Sequence, residues 1–247
     1  MSAVSKVKVP LTTIPRFQKE AAEIALQMSQ FSVDELERLL RVNAKIAVEN
    51  YKRYQAFHAE TTPELPALLA YTGIVFKRLN PKDFSAEDFG YAQEHLRLTS
   101  FCYGLLRPLD VIRAYRLEGD VVLPELGNQT LFSYWRSRLT DTFIEDIRSA
   151  GGILCNLASD RDESLFDWKR VESEVRVVTP EFHVWKNGKL ATIVVYTKMS
   201  RGEMTRFILK NKIGNPEELK GFSWEGFEFD ESLSDERKLV FINGMGE

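Results

Sequence analysis

Residues 175–196 read VRVVTPEFHVWKNGKLATIVVY and carry the clearest structural signal in this 247-residue sequence. Two β-rich runs, Val175–Trp185 and Leu190–Tyr196, flank the tetrapeptide Lys186-Asn187-Gly188-Lys189. Asn-Gly is favoured in type I′ turns, because both central residues of such a turn need a positive φ. These residues therefore predict an antiparallel β-hairpin.

The segments on either side of the hairpin alternate between strand and helix patterns. Upstream, Gly151-Gly152 precedes the apolar run Ile153–Leu157, which is typical of a buried strand. Downstream, Ser200 followed by Glu203 has the spacing of a capping box and predicts that a helix starts there. Two further β-rich runs, at 222–229 and 239–242, are predicted as closing strands.

The first half of the chain has helical patterns. Ser32 with Glu35 and Ser85 with Asp88 are spaced as capping boxes, so each pair predicts a helix start. The second of these helices is expected to run to about Tyr103, with Gly104 as its stop. The apolar residues of 131–148 recur at helical spacing and predict an amphipathic helix.

Helices that precede strands interleaved with helices predict an α+β fold with a mixed or antiparallel sheet. The sequence contains no internal repeat, low-complexity tract or Pro/Gly-rich linker. We therefore expect one domain over residues 1–247.

Composition excludes several classes of protein. The formal charge of −3 argues against a strongly basic, histone-like protein, although it permits a local basic patch. Hydrophobic residues make up 44% of the chain, too much for a disordered protein. No apolar run approaches the roughly 20 residues of a membrane helix, and the first residues lack the apolar region of a secretory signal. We expect no membrane association and a cytoplasmic location.

The residues that commonly hold metals or act as nucleophiles do not cluster in the sequence. His58, His95 and His183 are far apart, and none has a second His or Cys at ligand spacing. Cys102 and Cys155 are the only cysteines. Gly-x-Ser-x-Gly and phosphate-binding glycine loops are absent. We expect no metal, no cofactor and no nucleophilic catalysis.

Basic residues are concentrated in two segments. Residues 97–116 hold four arginines against one acidic residue, and residues 198–212 hold five basic residues against one. Residues 217–236 hold eight acidic residues against one lysine. Such segments are often solvated helix faces, but Arg97 and Arg107 lie among leucines, and the planar guanidinium suits a partly buried phosphate or carboxylate site.

A polar cluster follows the predicted strand at Ile153–Leu157. Asn156, Ser159 and Asp160 would lie at the strand's carboxyl end, where ligands commonly meet α/β sheets. An Asx turn followed by a helix N-cap at Asp160 explains the same residues without a ligand.

Several specific motifs follow one another along the chain, among them Tyr103-Gly104-x-Leu106-Arg107-Pro108-Leu109-Asp110, Asn156-Leu157-Ala158-Ser159-Asp160 and Arg201-Gly202-x-Met204-x-Arg206-Phe207. In this order they resemble the bacterial YaaA family of peroxide-stress proteins. The resemblance implies a single α+β domain of the family's own type, with a positively charged cleft that binds duplex DNA without sequence preference. It also implies protection against hydrogen peroxide by limiting iron-linked oxidative damage.

The resemblance implies that the segment around Tyr103-Gly104 is the hairpin of a helix-hairpin-helix element, which would hold DNA phosphates. The residues expected to bind DNA or another anion are Arg97, Tyr103, Gly104, Arg107, Arg113, Arg116, Lys198, Arg201 and Arg206. Asn156, Ser159 and Asp160 are expected to be polar residues of the cleft.

This chain departs from the family pattern at three places, one of which is Ser200 in Lys198-Met199-Ser200-Arg201-Gly202, where the family has alanine. Family members open with an apolar strand that ends in a Ser-(Pro/Cys)-Ala-Lys-Thr-like run, and this chain matches from the following segment, so the first strand is expected to be missing. The hairpin pattern commonly has glycine two residues before the tyrosine, where this chain has Phe101. Phenylalanine does not readily adopt a positive φ, which would alter the hairpin.

Two other functions fit the same residues. One is an enzyme whose cleft of Arg97, Asn156, Asp160, Lys198 and Arg201 binds a small anionic substrate. The other is an interaction protein whose basic face meets an acidic partner.

A helical wheel separates the basic residues after Ser200. It predicts that Met204, Phe207, Ile208 and Asn211 face the core and that Arg201 borders this face at the cleft. Arg206 and Lys210 fall near the opposite side and are expected to be mostly solvated.

Overall fold

The computed structural model describes residues 1–2, 4–186 and 188–244. The helices are α1 Gln18–Met28, α2 Val33–Leu40, α3 Ala44–Ala56, α4 Ala67–Ala70, α5 Ile74–Leu79, α6 Ala86–His95, α7 Leu131–Ser149, α8 Asp160–Glu163, α9 Trp168–Glu174 and α10 Val194–Asn211. The strands are β1 Glu64–Pro66, β2 Leu98–Ser100, β3 Gly104–Leu106, β4 Val111–Arg113, β5 Val122–Leu123, β6 Gln129–Thr130, β7 Ile153–Cys155, β8 Arg176–Lys186, β9 Lys189–Ala191, β10 Phe227–Phe229 and β11 Lys238–Asn243. Among the described residues, no helix has the length and apolar character needed to cross a membrane.

A mixed sheet in the C-terminal half confirms the α+β prediction. Its strand order is β10-β11-β8-β7, and β9 pairs with the end of β8. Strands β7 and β11 run parallel to β8, whereas β9 is antiparallel to β8 and β10 to β11. The long strand β8 is therefore the centre of the sheet.

The predicted β-hairpin forms, although its second strand is shorter than expected. The register from Val184↔Ala191 to Lys186↔Lys189 confirms the antiparallel pairing. Asn187, which the turn prediction emphasised, lies outside the described residues. The strand stops at Ala191, and α10 begins at Val194 instead of at Ser200. Ser200 is fully buried inside that helix, where packing overrides the local capping signal.

The helix predicted to run from Ser85 to Tyr103 ends earlier. Helix α6 stops at His95, and β2 and β3 form a short antiparallel hairpin instead. The Ser100 hydroxyl accepts hydrogen bonds from the N–H groups of Cys102 and Tyr103, which stabilises the turn between the two strands. The expected helix-hairpin-helix element is therefore not confirmed.

Phe101 does not strain this turn. The residue with a positive φ is Gly104, at 69°. A Cβ at Gly104 would also lie 2.7 Å from the Trp135 ring, so glycine suits the position for two reasons. Phe101 packs edge-on against Phe132, with 5.3 Å between ring centroids.

The other helix predictions are confirmed. Ser32 with Glu35 and Ser85 with Asp88 form complete capping boxes at the starts of α2 and α6. Helix α7 spans Leu131–Ser149, close to the predicted 131–148.

Helix α10 lies between two apolar clusters. Leu209 belongs to the larger cluster, which the N-terminal helices and α7 build, whereas Met204 packs with the aromatic residues of β8, β10 and β11. Asn211, which the wheel places towards the core, is exposed at the end of the helix. Two buried faces explain why the single buried sector of a helical wheel describes this helix poorly.

Candidate functional site

A cleft of about 650 Å³ runs beside β7, and we call it the β7 cleft. Its walls come from residues 96–99 around β2, 153–159 around β7, and the faces of α7 and α10 that turn towards it. Most of these side chains are apolar. The polar ones gather where β7 ends.

At this polar end, Asn156 organises the loop between β7 and α8. Its side chain is 94% buried, with its Nδ2 donating to Glu163 Oε1 at 2.7 Å and its Oδ1 accepting from the Ala158 N–H at 3.1 Å. Ser159 forms a capping box with Asp162, which also accepts a hydrogen bond from Thr99 of β2. The loop is thereby held in one conformation.

Two of the three predicted polar residues, Asn156 and Ser159, line the cleft. Asp160 does not: it is exposed as the first residue of α8, and Ser159 is the N-cap in its place. The short helix turns Asp160 towards solvent and Glu163, three residues later, towards Asn156.

Lys198 and Arg201 bring positive charge to the polar end from one face of α10, three residues apart. Lys198 is exposed and Arg201 is half-buried, and both line the cleft. Among the described residues, neither has a carboxylate within 4.0 Å, and Arg201 Nε is buried without a hydrogen-bond acceptor. These two side chains are the predicted cations that the fold does not use internally.

Glu163 is a cleft residue that sequence reasoning missed. Burial raises the pKa of its carboxyl group, assisted by the negative charges of Asp160 and Glu172 and opposed by the Asn156 hydrogen bond and the Arg201 charge. The sequence contains no signal for this residue, because its direction depends on the turn that Ser159 caps.

Arg97 lines the cleft, but its guanidinium group already binds other residues of the chain. Its Nε lies 2.6 Å from Asp146 of α7, and its terminal nitrogen donates to the carbonyls of Gln93, Glu94 and Leu96 at the end of α6. Burial raises the pKa of Asp146, but the hydrogen bonds and charges of Arg97 and Arg16 outweigh it and leave that pKa below its usual value.

The other predicted arginines of this region also have partners within the chain. Arg107 holds the buried Asp110 at 2.8 Å, Arg113 binds Glu64 at 3.0 Å, and Arg116 contacts Glu118 at 3.3 Å. Tyr103 is buried, and its hydroxyl accepts the Arg113 N–H at 3.0 Å. The structure does not gather these residues with Lys198 and Arg201 at the cleft.

Arg206 and Lys210 are not mostly solvated, so that expectation is wrong. Arg206 binds both oxygens of Asp83 at 2.8 and 2.6 Å and the carbonyls of Leu79 and Asn80 at the end of α5. Lys210 lies 2.8 Å from Asp88. The wheel failed because α5 and α6 cover the side of α10 that it left exposed.

The described residues contain no group of three or more His, Cys, Asp or Glu side chains arranged to hold a metal ion. Burial raises the pKa of both cysteine thiols, which disfavours the reactive thiolate at neutral pH.

Fold and cleft together define the class: a mixed α+β protein in which two cations, Lys198 and Arg201, lie near the edge strand β7 without a carboxylate partner among the described residues. A family model described as peroxide stress protein YaaA matches residues 2–233. The chain therefore belongs to this family.

Curated relatives extend over almost the whole chain. A UPF0246 protein of Bacteroides thetaiotaomicron is 98% identical over 247 residues, which are 100% of this chain and 96% of that protein. A UPF0246 protein of Bacteroides fragilis is 77% identical with the same coverage. A UPF0246 protein of Saccharophagus degradans is 34% identical over 93% of this chain and 90% of its own length.

Proposed function

We propose that this chain binds a small anionic ligand at the polar end of the β7 cleft, with Lys198 and Arg201 as the cations that hold it. The observation that carries the proposal is that the buried Arg201 Nε has no acceptor within the part of the chain that the structure describes. Leaving a buried donor unpaired costs about 1–3 kcal/mol, and more for a charged group. A phosphate, sulfate or carboxylate group would accept from this nitrogen and remove that cost.

The neighbouring residues support an anion rather than a cation. Asn156, Ser159 and Thr99 already use their hydrogen-bonding groups on Glu163 and Asp162. The positively charged donors left for a ligand are therefore those of Lys198 and Arg201, which favour an anion. Acid–base chemistry, if the ligand is a substrate, falls to Glu163, whose pKa burial raises.

Sulfate is a suitable probe because it keeps its charge over the working pH range. We expect sulfate to bind saturably, and Arg201→Ala to weaken binding by about tenfold or more, as for a lost charged hydrogen bond. Lys169→Ala is the matched control, because Lys169 is an exposed cation outside the cleft. Isothermal titration measures binding, and thermal melts of each variant check folding. Equal sulfate affinities for the native chain and the Lys198→Ala/Arg201→Ala double variant would contradict the proposal.

Duplex DNA is the second candidate ligand. The observation that favours it is that Lys186 and Lys189 are exposed on the hairpin that leads into α10, so positive charge continues beyond Lys198. Such contacts would hold phosphates without reading bases.

A salt series tests DNA binding. Each phosphate contact adds about 0.9 to the slope of log affinity against log salt, so Lys186→Ala/Lys189→Ala should lower the slope by about 2. A duplex affinity that does not change between low and physiological salt would exclude this candidate.

We propose that the β7 cleft acts in protection against peroxide. Ligand binding there would be the step by which the chain limits iron-linked oxidative damage. In a deletion strain, the native gene should restore survival in hydrogen peroxide, and Arg201→Ala should not. Lys169→Ala serves again as the control. Full protection by Arg201→Ala would separate the cleft from this role.

A further inference from the structure

Three polar side chains form a hydrogen-bonded series on one face of the β8–β9 hairpin. His183 lies at its centre: Nδ1 is 3.1 Å from Thr192 Oγ1, and Nε2 is 3.1 Å from Glu181 Oε2. Glu181 and His183 point to the same face of β8, because they are two residues apart on the strand. The register that pairs Val184 with Ala191 brings the next residue, Thr192, beside His183. We call Glu181, His183 and Thr192 the hairpin relay.

The charge of Glu181 decides which ring nitrogen of His183 carries the hydrogen. Burial raises the pKa of Glu181, but the hydrogen bonds from Lys238 and His183 outweigh it and leave that pKa lowered. A carboxylate can only accept hydrogen bonds, so Nε2 donates to Glu181, and Nδ1 of the neutral ring accepts from the Thr192 hydroxyl. Hydroxyl, imidazole and carboxylate in this order have the roles of nucleophile, general base and positioning group.

The face that carries the hairpin relay is open to a ligand. Thr192 is exposed, and His183 is half-buried. Trp185 and Leu190 form the neighbouring cross-strand pair on this face, and they are 46% and 38% exposed. An apolar group of a bound molecule can therefore pack against Trp185 and Leu190 while another part of it meets Thr192.

Helix α10 begins two residues after Thr192. The first N–H groups of a helix have no partner within it, and no side chain among the described residues caps those of α10. Such groups carry partial positive charge and stabilise a negative oxygen that develops on a reacting acyl group. Strand β7 pairs with Arg176–Val178, so the hairpin relay lies farther along β8, beyond the β7 cleft.

We propose that the hairpin relay is a hydrolytic site for small esters that carry an apolar or aromatic group, with Thr192 as the nucleophile. Thr192 Oγ1 attacks the acyl carbon while its proton passes to His183 Nδ1. The ester C–O bond then breaks, and the leaving alcohol takes that proton. Water attacks the acylated Thr192 and gives a proton to His183, which returns it to Oγ1 as the carboxylic acid leaves. Glu181 orients the imidazole and is a positioning residue.

The sequence gave no signal for this site. The expectation of no nucleophilic catalysis rested on the absence of a Gly-x-Ser-x-Gly motif, which the hairpin relay does not require. Thr192 and His183 are nine residues apart, and the pairing of β8 with β9 brings them together.

The probe is p-nitrophenyl acetate, whose hydrolysis releases coloured p-nitrophenol. We expect a burst of p-nitrophenol, with the acetyl group found on Thr192 by peptide mass spectrometry. Thr192→Val should abolish the burst, and Thr192→Ser should retain it. His183→Gln should slow acylation by about 10²–10⁴-fold, as for loss of a general base. Thr179→Val is the matched control, because Thr179 lies on the same face of β8 outside the hairpin relay.

Glu181→Gln separates positioning from simple structural support. It should lower kcat and leave KM unchanged, because an oriented imidazole acts in the transition state and not in substrate binding. Circular dichroism checks that each variant folds. An unchanged kcat in Glu181→Gln would contradict the role of Glu181.

A fluorophosphonate tests the native chain without any substitution, because an activated hydroxyl displaces its fluoride. We expect it to label Thr192. If the fluorophosphonate or the acetyl group is found only on other residues, or if Thr192→Val reacts as fast as the native chain, the proposed ester site is wrong. Neither measurement depends on sulfate binding, so a failure of the anion site at the β7 cleft would be recognised separately.

Discussion

Arg206 illustrates how guanidinium groups serve the fold of this protein. It binds both oxygens of Asp83 and two carbonyls at the end of α5, contacts that satisfy the helix terminus and join it to α10. Arg97 does the same for the end of α6 through three carbonyls and Asp146. Arg201 lacks such partners among the described residues, and this difference is why we propose Arg201, and not Arg206 or Arg97, as the arginine that binds a ligand.

Arg206→Ala should therefore lower the free energy of unfolding by about 2 kcal/mol, within the range for hydrogen bonds to charged groups. Sulfate affinity should not change. Urea unfolding and sulfate titration measure the two effects. Lys189→Ala, which removes an exposed charge, should cost only a few tenths of a kcal/mol. Loss of sulfate binding without loss of stability would place Arg206 in the site after all.

Glu163 should make anion binding depend on pH. Burial raises the pKa of its carboxyl group above the usual 4.5, and protonation removes a negative charge near Arg201. Sulfate affinity should therefore increase as the pH falls from neutrality through that raised pKa. Glu163→Gln should bind sulfate with an affinity that no longer changes over this range. A native affinity that does not change between pH 7.5 and 4.5, where a carboxyl group with a raised pKa is more than half protonated, would contradict this account.

At the scale of elements, α10 and α5 approach so closely that a side chain has no room. A Cβ on Gly202 would lie 2.3 Å from the Val75 carbonyl oxygen and 2.7 Å from Arg78 Cβ. The Val75 carbonyl oxygen belongs to the backbone, so it cannot move aside by a side-chain rotation. The glycine therefore sets the distance between the two helices, and with it the position of Arg201, the residue that directly precedes it.

Gly202→Ala should destabilise the protein by about 1–3 kcal/mol, as overpacking does, although alanine is the better helix former. Gly90→Ala in α6 is the matched control, because a Cβ there meets nothing within 4 Å. That change should stabilise by about 0.5–1 kcal/mol. Chemical unfolding of both variants gives the comparison, and stabilisation by both would mean that the helices separate easily.

At the scale of the whole molecule, the buried Asp88 and the half-buried Asp146 join segments that are distant in sequence. Asp146 of α7 binds Arg97 and Arg16, and Asp88 of α6 binds Lys210 of α10. Burial raises the pKa of Asp88 too, but the hydrogen bonds from Lys210 and Ser85 outweigh it and leave that pKa lowered. The Asp88 contact joins α6 to α10, and the Asp146 contacts join Arg16 and Arg97 to α7. Both α7 and α10 line the β7 cleft.

Both lowered pKa values make the fold sensitive to acid. A carboxyl group whose pKa is lower in the folded state stabilises the protein above its unfolded pKa of about 3.9, and this contribution is lost as the pH falls through the folded value. Stability should therefore decrease below about pH 4. Asp146→Asn should have a lower melting temperature than the native chain at pH 7, and its melting temperature should fall less between pH 7 and pH 3. Melting temperatures between pH 7 and 3 measure this. If the melting temperature of the variant falls as much as that of the native chain, groups other than Asp146 cause the loss of stability in acid.

The sequence determined the features that arise within a few residues. The capping boxes at Ser32 and Ser85, the amphipathic helix 131–149 and the pairing of β8 with β9 depend on contacts between near neighbours, and all were predicted. The family resemblance rests on motifs of the same local kind. Asn156 and Ser159 were predicted as cleft residues because they lie at or just after the end of a strand that could itself be predicted from local sequence.

Only the tertiary structure decided which cations are available to a ligand. Arg97 lies 49 residues from Asp146, and Arg206 lies 123 residues from Asp83, so no local pattern reveals that these charges are already paired. The start of α10 and the β2–β3 hairpin likewise follow from packing, where burial energy outweighs local propensity. The sequence shows where charged residues lie along the chain, whereas ligand binding depends on which of these residues have no ion-pair partner in the folded protein.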